Sequence, residues 1–502
     1  MRPALALPAA LLAGVAHTFS FAPFEVWWLQ IGALAVLAHG AARASPGRAA
    51  LLGWLFGLGW LVSGLWWLYI SMHDFGGMPS WLAALAVLAL AAALALYYAA
   101  ALALWARLRR DRPLGDALRW AACWLLAELG RATLFTGFPW IASGYAHALG
   151  PLAAWAPWVG IYGLSALAAW LACAAALSLR PMAASARAAL GLAALAVLAG
   201  PLALRSEFTL PSGELSVSLL QPNIAQDLKF DPARIDANLQ ALIRQTAAAR
   251  GALVVTPESV IPFTRAELSG GYWDGLLRPF AQPGRGLLIG MFLGNGDEGF
   301  VNSVVGVTAA APGSEYRYGK RHLLPFGEFV PTGFRWFVDL MHIPLGDQAR
   351  GTTGAAFVVG GQRLRPLICY EDLFGEDIVA SVVGAEPATV FVNVSNLAWF
   401  GRWLVQDQHL QFSQMRALEF ERPVIRATNT GATAVVDHHG RVTARLPALS
   451  AGTLEAVVQG RSGETPYARW LASLGLWPLA LLALALLLVP RRRGRRVSRP
   501  VN

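Results

Sequence analysis

Three residues of this 502-residue chain could combine into one chemistry: a thiol, a carboxylate and an ammonium. Cys369 ends a short apolar run, residues 364–368 with Arg365 in it, that reads as a strand, and Tyr370, Glu371 and Asp372 follow at once. The other two cysteines, Cys123 and Cys173, sit inside membrane-type runs, so no disulfide framework is expected. A thiol at a strand end is exposed enough to react. It becomes a nucleophile if its proton is taken and its thiolate steadied. Glu258, in Thr256-Pro257-Glu258-Ser259, follows a second strand, and the proline forces a turn that holds the carboxylate at the strand end. Lys320 lies in Tyr318-Gly319-Lys320-Arg321-His322. Of 40 basic residues only Lys229 and Lys320 are lysine, so 40 − 2 leaves 38 arginines. A chain that uses arginine almost everywhere keeps a lysine where a compact, orientable ammonium is needed. Singly, each of the three has an ordinary reading: a buried small hydrophobe, a surface carboxylate, a solvated charge. Together, at one edge of a sheet, the carboxylate takes the thiol proton. The ammonium favours the thiolate and then the developing oxyanion, and the sulfur attacks an acyl carbon to give a thioester.

The elements that must position them lie in residues 205–469. Residues 215–220, 252–256, 286–290, 301–308, 364–368, 389–394 and 433–436 read as strands; 235–248 and 406–421 read as helices. Strands interleaved with helices over this length argue for one α/β domain. The rest of the chain is different. The whole is 56% hydrophobic and 14% charged, with 20 tryptophans, too apolar for an ordinary soluble protein. Eight candidate membrane helices lie near 3–19, 26–42, 49–71, 81–106, 114–130, 153–179, 186–204 and 470–489. This divides the chain into a seven-helix region (1–204), the α/β domain (205–469), a last span (470–489) and a basic tail (490–502). The basic residues before the first span, in alternate loops and in the tail place both termini in the cytoplasm by the positive-inside rule. The α/β domain then falls on the outer face, the periplasm in a bacterium with two membranes. A net charge of +10 concentrated beside membrane segments is a topology signal and not a nucleic-acid signature.

The residues also carry a resemblance. Glu258, Lys320 and Cys369, with Cys-Tyr-Glu after a strand, resemble the Glu-Lys-Cys triad of the nitrilase superfamily. Residues 320–331 (Lys-Arg-His-Leu-Leu-Pro-Phe-Gly-Glu-Phe-Val-Pro), Trp399-Phe400-Gly401, Gln408-His409-Leu410-Gln411, Met415-Arg416-Ala417-Leu418-Glu419 and Arg426-Ala427-Thr428-Asn429-Thr430-Gly431 resemble the apolipoprotein N-acyltransferase family over essentially the whole chain. The resemblance implies a four-layer α-β-β-α sandwich beside the membrane bundle. It implies Glu258 as general base, Lys320 as the oxyanion-side cation and Cys369 as nucleophile. Glu328 would be a second acid near the triad, Tyr370 and Glu371 would support the nucleophile's turn, and Trp399 would be an aromatic neighbour. Leu397 stands where many members carry an aspartate, which puts a polar role there in doubt. The implied reaction moves an acyl chain from a phospholipid, through a thioester, to the α-amine of a diacylated apolipoprotein. No metal or cofactor is implied, and nothing requires more than a monomer. The alternatives are a membrane-tethered nitrilase-type amidohydrolase, in which water takes the acyl group, and a transporter or scaffold with a dead sensor domain.

Trp273 after the Glu258 motif, and Trp336 and Phe337 after the Lys320 motif, are candidate lid residues that dip into the outer leaflet; packing into the domain core is the competing reading. His438-His439 resembles a metal pair, but neighbours in a strand point to opposite faces, so a turn is the simpler reading. His73 and Asp74 face lipid headgroups or solvent. Glu128 and Arg131, near a helix end, are expected to pair, with Glu128 shallow enough to be wet.

Overall fold

The computed structural model describes residues 3–488, apart from 205–206, 230, 296, 298, 310–314, 334, 336–346 and 353–354. The N-terminal apolar runs are helices: α1 (Pro3–Thr18), α2 (Trp27–Ala41), α3 (Pro46–Leu65), α4 (Ser80–Leu108), α5 (Pro113–Thr133), α6 (Ala156–Ser178) and α7 (Ala184–Ala203). A helix satisfies its own backbone, which an apolar surrounding demands. Of these, α3, α4, α7 and α6 with the turn before it are long and apolar enough to cross a membrane, while α1 and α2 are shorter. Small residues let the helices touch. A Cβ on Gly59 would lie 2.3 Å from the Leu11 carbonyl oxygen, and one on Gly53 would lie 2.4 Å from that of Tyr98.

Helix α5 carries the pair read from sequence. Arg131 Nη2 meets Glu128 Oε2 at 3.0 Å with both side chains fully buried. The expectation of a wet Glu128 is therefore corrected. In place of water, the chain after α5 folds back over the charges. Arg131 Nη1 donates to the carbonyls of Phe138 (3.1 Å) and Trp140 (2.8 Å), and Ser143 Oγ donates to Glu128 Oε1 at 2.7 Å. A buried ion pair survives only with such added hydrogen bonds. Its effect is to order residues 134–147, on which the α/β domain rests.

That domain has two six-stranded sheets among the described residues. The first is built from β1 (Thr209–Gln221), β2 (Leu253–Val255), β3 (Gly286–Asn295), β4 (Gly299–Thr308), β5 (Tyr316–Gly319) and β12 (Gly452–Gly463), in the order β12-β1-β2-β3-β4-β5. The second is built from β6 (Phe357–Val359), β7 (Gln362–Ile368), β8 (Val390–Ser395), β9 (Val424–Thr428), β10 (Ala434–Val436) and β11 (Val442–Arg445), in the order β11-β10-β9-β8-β7-β6. Strands β1, β2 and β3 run parallel, as do β7, β8 and β9. Alternation sorts their side chains into layers. Leu253, Val255, Leu288, Ile368, Val392 and Ile425 share the core between the sheets. Val254, Leu287 and Ile289 face outward under helix α8 (Pro232–Ala248), where Leu239 and Leu242 cover them. Leu367, Phe391 and Val424 face outward under helix α9 (Val405–Phe420). The layering is helix, sheet, sheet, helix, as expected.

Helix α9 is buried nearly all round, because its other side meets the N-terminal helices and the loop after α5. Gln408 Oε1 accepts from Trp67 Nε1 (3.2 Å) and Trp140 Nε1 (2.9 Å), its Nε2 donates to the Gly64 carbonyl (3.1 Å), and Glu419 Oε1 accepts from the Ile161 amide (2.7 Å). After β12 the chain does not enter a straight span. Helix α10 (Pro466–Leu474) and helix α11 (Trp477–Leu488) meet at 88°. Gly475 at φ 57° makes the break, and Pro478 lacks the backbone donor that would continue a helix. The expected span 470–489 is corrected: residues 470–474 belong to the crosswise helix. The basic tail lies outside the described residues.

Candidate active site

Every candidate catalytic residue sits where a strand ends. Glu258 lies just past β2, Lys320 follows β5 and Cys369 follows β7, so both sheets send their residues to one end of the sandwich. Crevices beyond the carboxyl ends of parallel strands are where α/β folds place ligands.

The Glu258 turn is pressed onto β3. Gly290 makes this possible, since a Cβ there would lie 2.2 Å from the Pro257 carbonyl oxygen and 2.9 Å from Glu258 Cα. These are backbone atoms and cannot swing aside. Gly290→Ala is expected to lower stability by about 1–3 kcal/mol through overpacking. Because the displaced segment carries Glu258, acyl transfer should fall about tenfold or more. Thermal melting together with turnover checks this; a lower Tm with unaltered turnover would separate the turn from the chemistry.

Glu258 then receives three donors. Asn302 Nδ2 donates to Oε1 at 2.7 Å, the Asn396 amide donates to Oε2 at 2.8 Å, and Lys320 Nζ lies 3.4 Å from Oε1. Lys320 Nζ sits closer to Glu328 Oε1, at 2.6 Å, and the Leu324 amide holds the other Glu328 oxygen at 2.8 Å. Burial works against the Lys320 ammonium, but Glu328 and then Glu258 outweigh it and hold its proton above the usual lysine range. Burial pushes the Glu328 carboxyl up, with Lys320 opposing.

Cys369 is 8% exposed, so the expectation of an exposed thiol is corrected. Its φ is 50°, a left-handed conformation that a residue with a Cβ rarely adopts. This is the sharp corner from β7 into the short helical turn Cys369–Leu373. Burial pushes the thiol up and the nearby Glu258 carboxylate adds to it, with Lys320 opposing. At rest, therefore, the sulfur keeps its proton beside an ammonium and carboxylates.

Glu371 ties the corner to the lysine loop. Its Oε2 accepts from the Ile368 amide (2.8 Å) and Tyr318 Oη (2.7 Å), and its Oε1 accepts from the Arg321 amide (2.8 Å). One carboxylate thus joins the residue before Cys369 to the residue after Lys320. Tyr370 Oη donates to the Gly137 carbonyl at 3.1 Å, which seats the Cys369 turn on the loop that Glu128 and Arg131 hold. Trp399 is 39% exposed and meets the edge of Phe75, with ring centroids 5.7 Å apart.

Other expectations divide. Trp273 is 7% exposed and packs with Leu239 and Leu276 on the outer side of the first sheet, so it is a core residue and not a lid. The reason is its place in a short helix, Tyr272–Leu277, pinned by Tyr272 Oη to the Leu239 carbonyl. Trp336 and Phe337 lie outside the described residues. His438 and His439 sit in a turn and both face Glu207, whose other oxygen pairs with Arg461 at 3.2 Å. His73 Nδ1 meets the Met78 carbonyl oxygen at 2.7 Å. Leu397 is fully buried among apolar neighbours.

Sequence reasoning missed Asn302, Asn396 and the pair behind Cys369, Arg426 Nη1 with Asp372 Oδ2 at 3.0 Å. Asn302 did leave a signal, since an amide inside the apolar strand β4 is out of place unless something there needs its donors.

A two-sheet sandwich with carboxylate, ammonium and thiol at its strand ends defines a carbon-nitrogen hydrolase domain, and residues 216–467 match that family. Residues 13–174 match the apolipoprotein N-acyltransferase N-terminal domain. The chain is 49% identical to apolipoprotein N-acyltransferase of Verminephrobacter eiseniae, covering 94% of each chain. It is 48% identical to that of Ralstonia nicotianae, covering 97% of this chain and 94% of the other. The chain belongs to the apolipoprotein N-acyltransferase family, enzymes built on the carbon-nitrogen hydrolase fold.

Proposed function

We propose that Cys369 carries a fatty acyl chain from a phospholipid to the N-terminal amine of a diacylglyceryl-cysteine lipoprotein. In the first half, Glu258 takes the thiol proton as sulfur attacks the ester carbon. The C–S bond forms, the ester C–O bond breaks, and the lysophospholipid leaves with the proton. In the second half, the free amine attacks the thioester. The C–N bond forms, the C–S bond breaks, and the amine's surplus proton passes by way of Glu258 to the sulfur. Lys320 faces the oxygen that becomes negative in both halves, and Glu328 holds Lys320 in place. Tyr370, Glu371 and Trp399 shape the surroundings. The single observation that carries this reading is the buried Glu258–Lys320–Cys369 cluster set directly on the helical region.

Both substrates keep acyl chains in the bilayer, since each buried methylene is worth about 0.8 kcal/mol. The nucleophile must therefore come to them. We infer eight crossings, with α11 forming the last, both termini cytoplasmic and the catalytic domain at the outer membrane face. Intact mass on protein incubated with phospholipid alone should show a gain of one acyl chain, removed by hydroxylamine. A diacylated lipopeptide with a free amine should discharge it and lengthen by that chain. Discharge to water alone would mark a membrane-tethered amidohydrolase, and absence of any acyl-enzyme would overturn the assignment.

A further inference from the structure

The chain contains two lysines, and both reach the turn that carries Glu258. Lys320 is described above. Lys229 ends a short helical turn, Gln226–Lys229, and is 5% exposed. Its Nζ donates to Ser259 Oγ at 2.8 Å, one residue past Glu258. Ser259 itself has φ 43°, so the turn after Glu258 is held in an uncommon conformation at the point Lys229 grips. The same turn reaches Glu258 by a second route. Gln226 Oε1 accepts from Asn396 Nδ2 at 2.8 Å, and the Asn396 amide is a donor to Glu258. Asn429 closes this circuit, with Nδ2 donating to Asn396 Oδ1 (3.0 Å) and to the Ile224 carbonyl (2.8 Å).

An ammonium is costly to bury, and packing alone would be served by a methionine or leucine. Resting on the function proposed above, we infer that Lys229 is a positioning residue: it fixes the Glu258 turn through Ser259 and supplies a second positive charge that favours the carboxylate form of the base. The titratable groups that interact with Glu258 are then Lys229 from this turn, Lys320 and Glu328 from the loop after β5, and Cys369 from the corner after β7; Asp227 on the turn itself is exposed. Burial pushes the Lys229 ammonium down to about 8, with Glu258 opposing, so the group is charged at pH 7. A folded-state value below the ordinary one means Lys229 costs stability below about pH 8. That cost fades as pH rises toward 10.5.

The test is the rate of acyl-enzyme formation against pH, on full-length protein in phospholipid proteoliposomes, for wild type, Lys229→Met, Lys229→Arg and Ser259→Ala. For Lys229→Met the acid limb should move to higher pH by about one unit, which lowers the rate about tenfold on that limb. Tm at pH 7 should not fall. Lys229→Arg keeps the charge and should leave the limb in place, even if the rate drops. Ser259→Ala loosens the turn without removing charge, so its rate should fall at every pH with the limb unmoved. A Lys229→Met profile that superimposes on wild type, or that drops equally at every pH with a lowered Tm, makes Lys229 a packing residue and overturns the inference. If Lys229→Met does not fold, a limb displaced in Lys229→Arg overturns it equally. A wild type that forms no acyl-enzyme marks failure of the acyl-transfer reading instead.

Discussion

Cys369→Ala should form no acyl-enzyme and transfer no chain, a loss of about 10⁴-fold or more in turnover, while the protein stays folded. The substitution leaves the rest of the cluster in place. Glu258 keeps its donors from Asn302, Asn396 and Lys320, and Lys320 keeps Glu328. Both charges were balanced before the thiol lost any proton, because burial holds the sulfur in its neutral form. Removing a neutral sulfur from a buried corner therefore leaves no orphaned charge. The left-handed backbone at this position is as uncommon for alanine as for cysteine, so the strain does not change sign. Melting temperature within a few degrees of wild type, with no mass gain on exposure to phospholipid, is the expected pair of results. A residual hydroxylamine-sensitive acyl group on the variant would place the nucleophile elsewhere.

Lys320→Met should behave differently, losing both activity and stability. Lys320 is the cation shared by two carboxylates, at 3.4 Å from Glu258 and 2.6 Å from Glu328, with its side chain 1% exposed. Without it, Asn302 Nδ2 alone bridges the two acids. Two buried like charges cannot both stay ionised, so they would share one proton. Breaking a buried pair by removing one partner costs about 3–5 kcal/mol. With the roles proposed above, catalysis loses the group facing the oxyanion, about 10²–10³-fold by itself. It loses more because a shared proton weakens the base. The stability loss should shrink at low pH, where protonating the acids removes their repulsion. Melting at pH 5 and pH 8 checks this: an equal Tm deficit at both would mean the lysine acts by packing alone.

The candidate cluster was legible in the sequence because each of its side chains sits beside a local signal. Pro257 marks the turn that presents Glu258, the acidic run after an apolar strand marks Cys369, and the scarcity of lysine marks Lys320. The apolar runs of the N-terminal region were equally plain, since the need to satisfy every backbone group leaves helix as the one local solution. What sequence could not decide was contact between distant segments. Asn396 lies 138 residues from the carboxylate it holds, and Gln226 lies 170 from Asn396, so no local pattern announces them. Trp273 in a glycine-rich stretch has the composition of a membrane-dipping loop, yet the open outer face of the first sheet buries it. The nearness of a helix end suggests a wet Glu128; only the chain folding back from α5 seals it, through Ser143 and the Arg131 pair. Local composition determines which groups exist and which elements carry them. Burial, and with it the charge state of every one of those groups, is decided by what the tertiary structure packs against them.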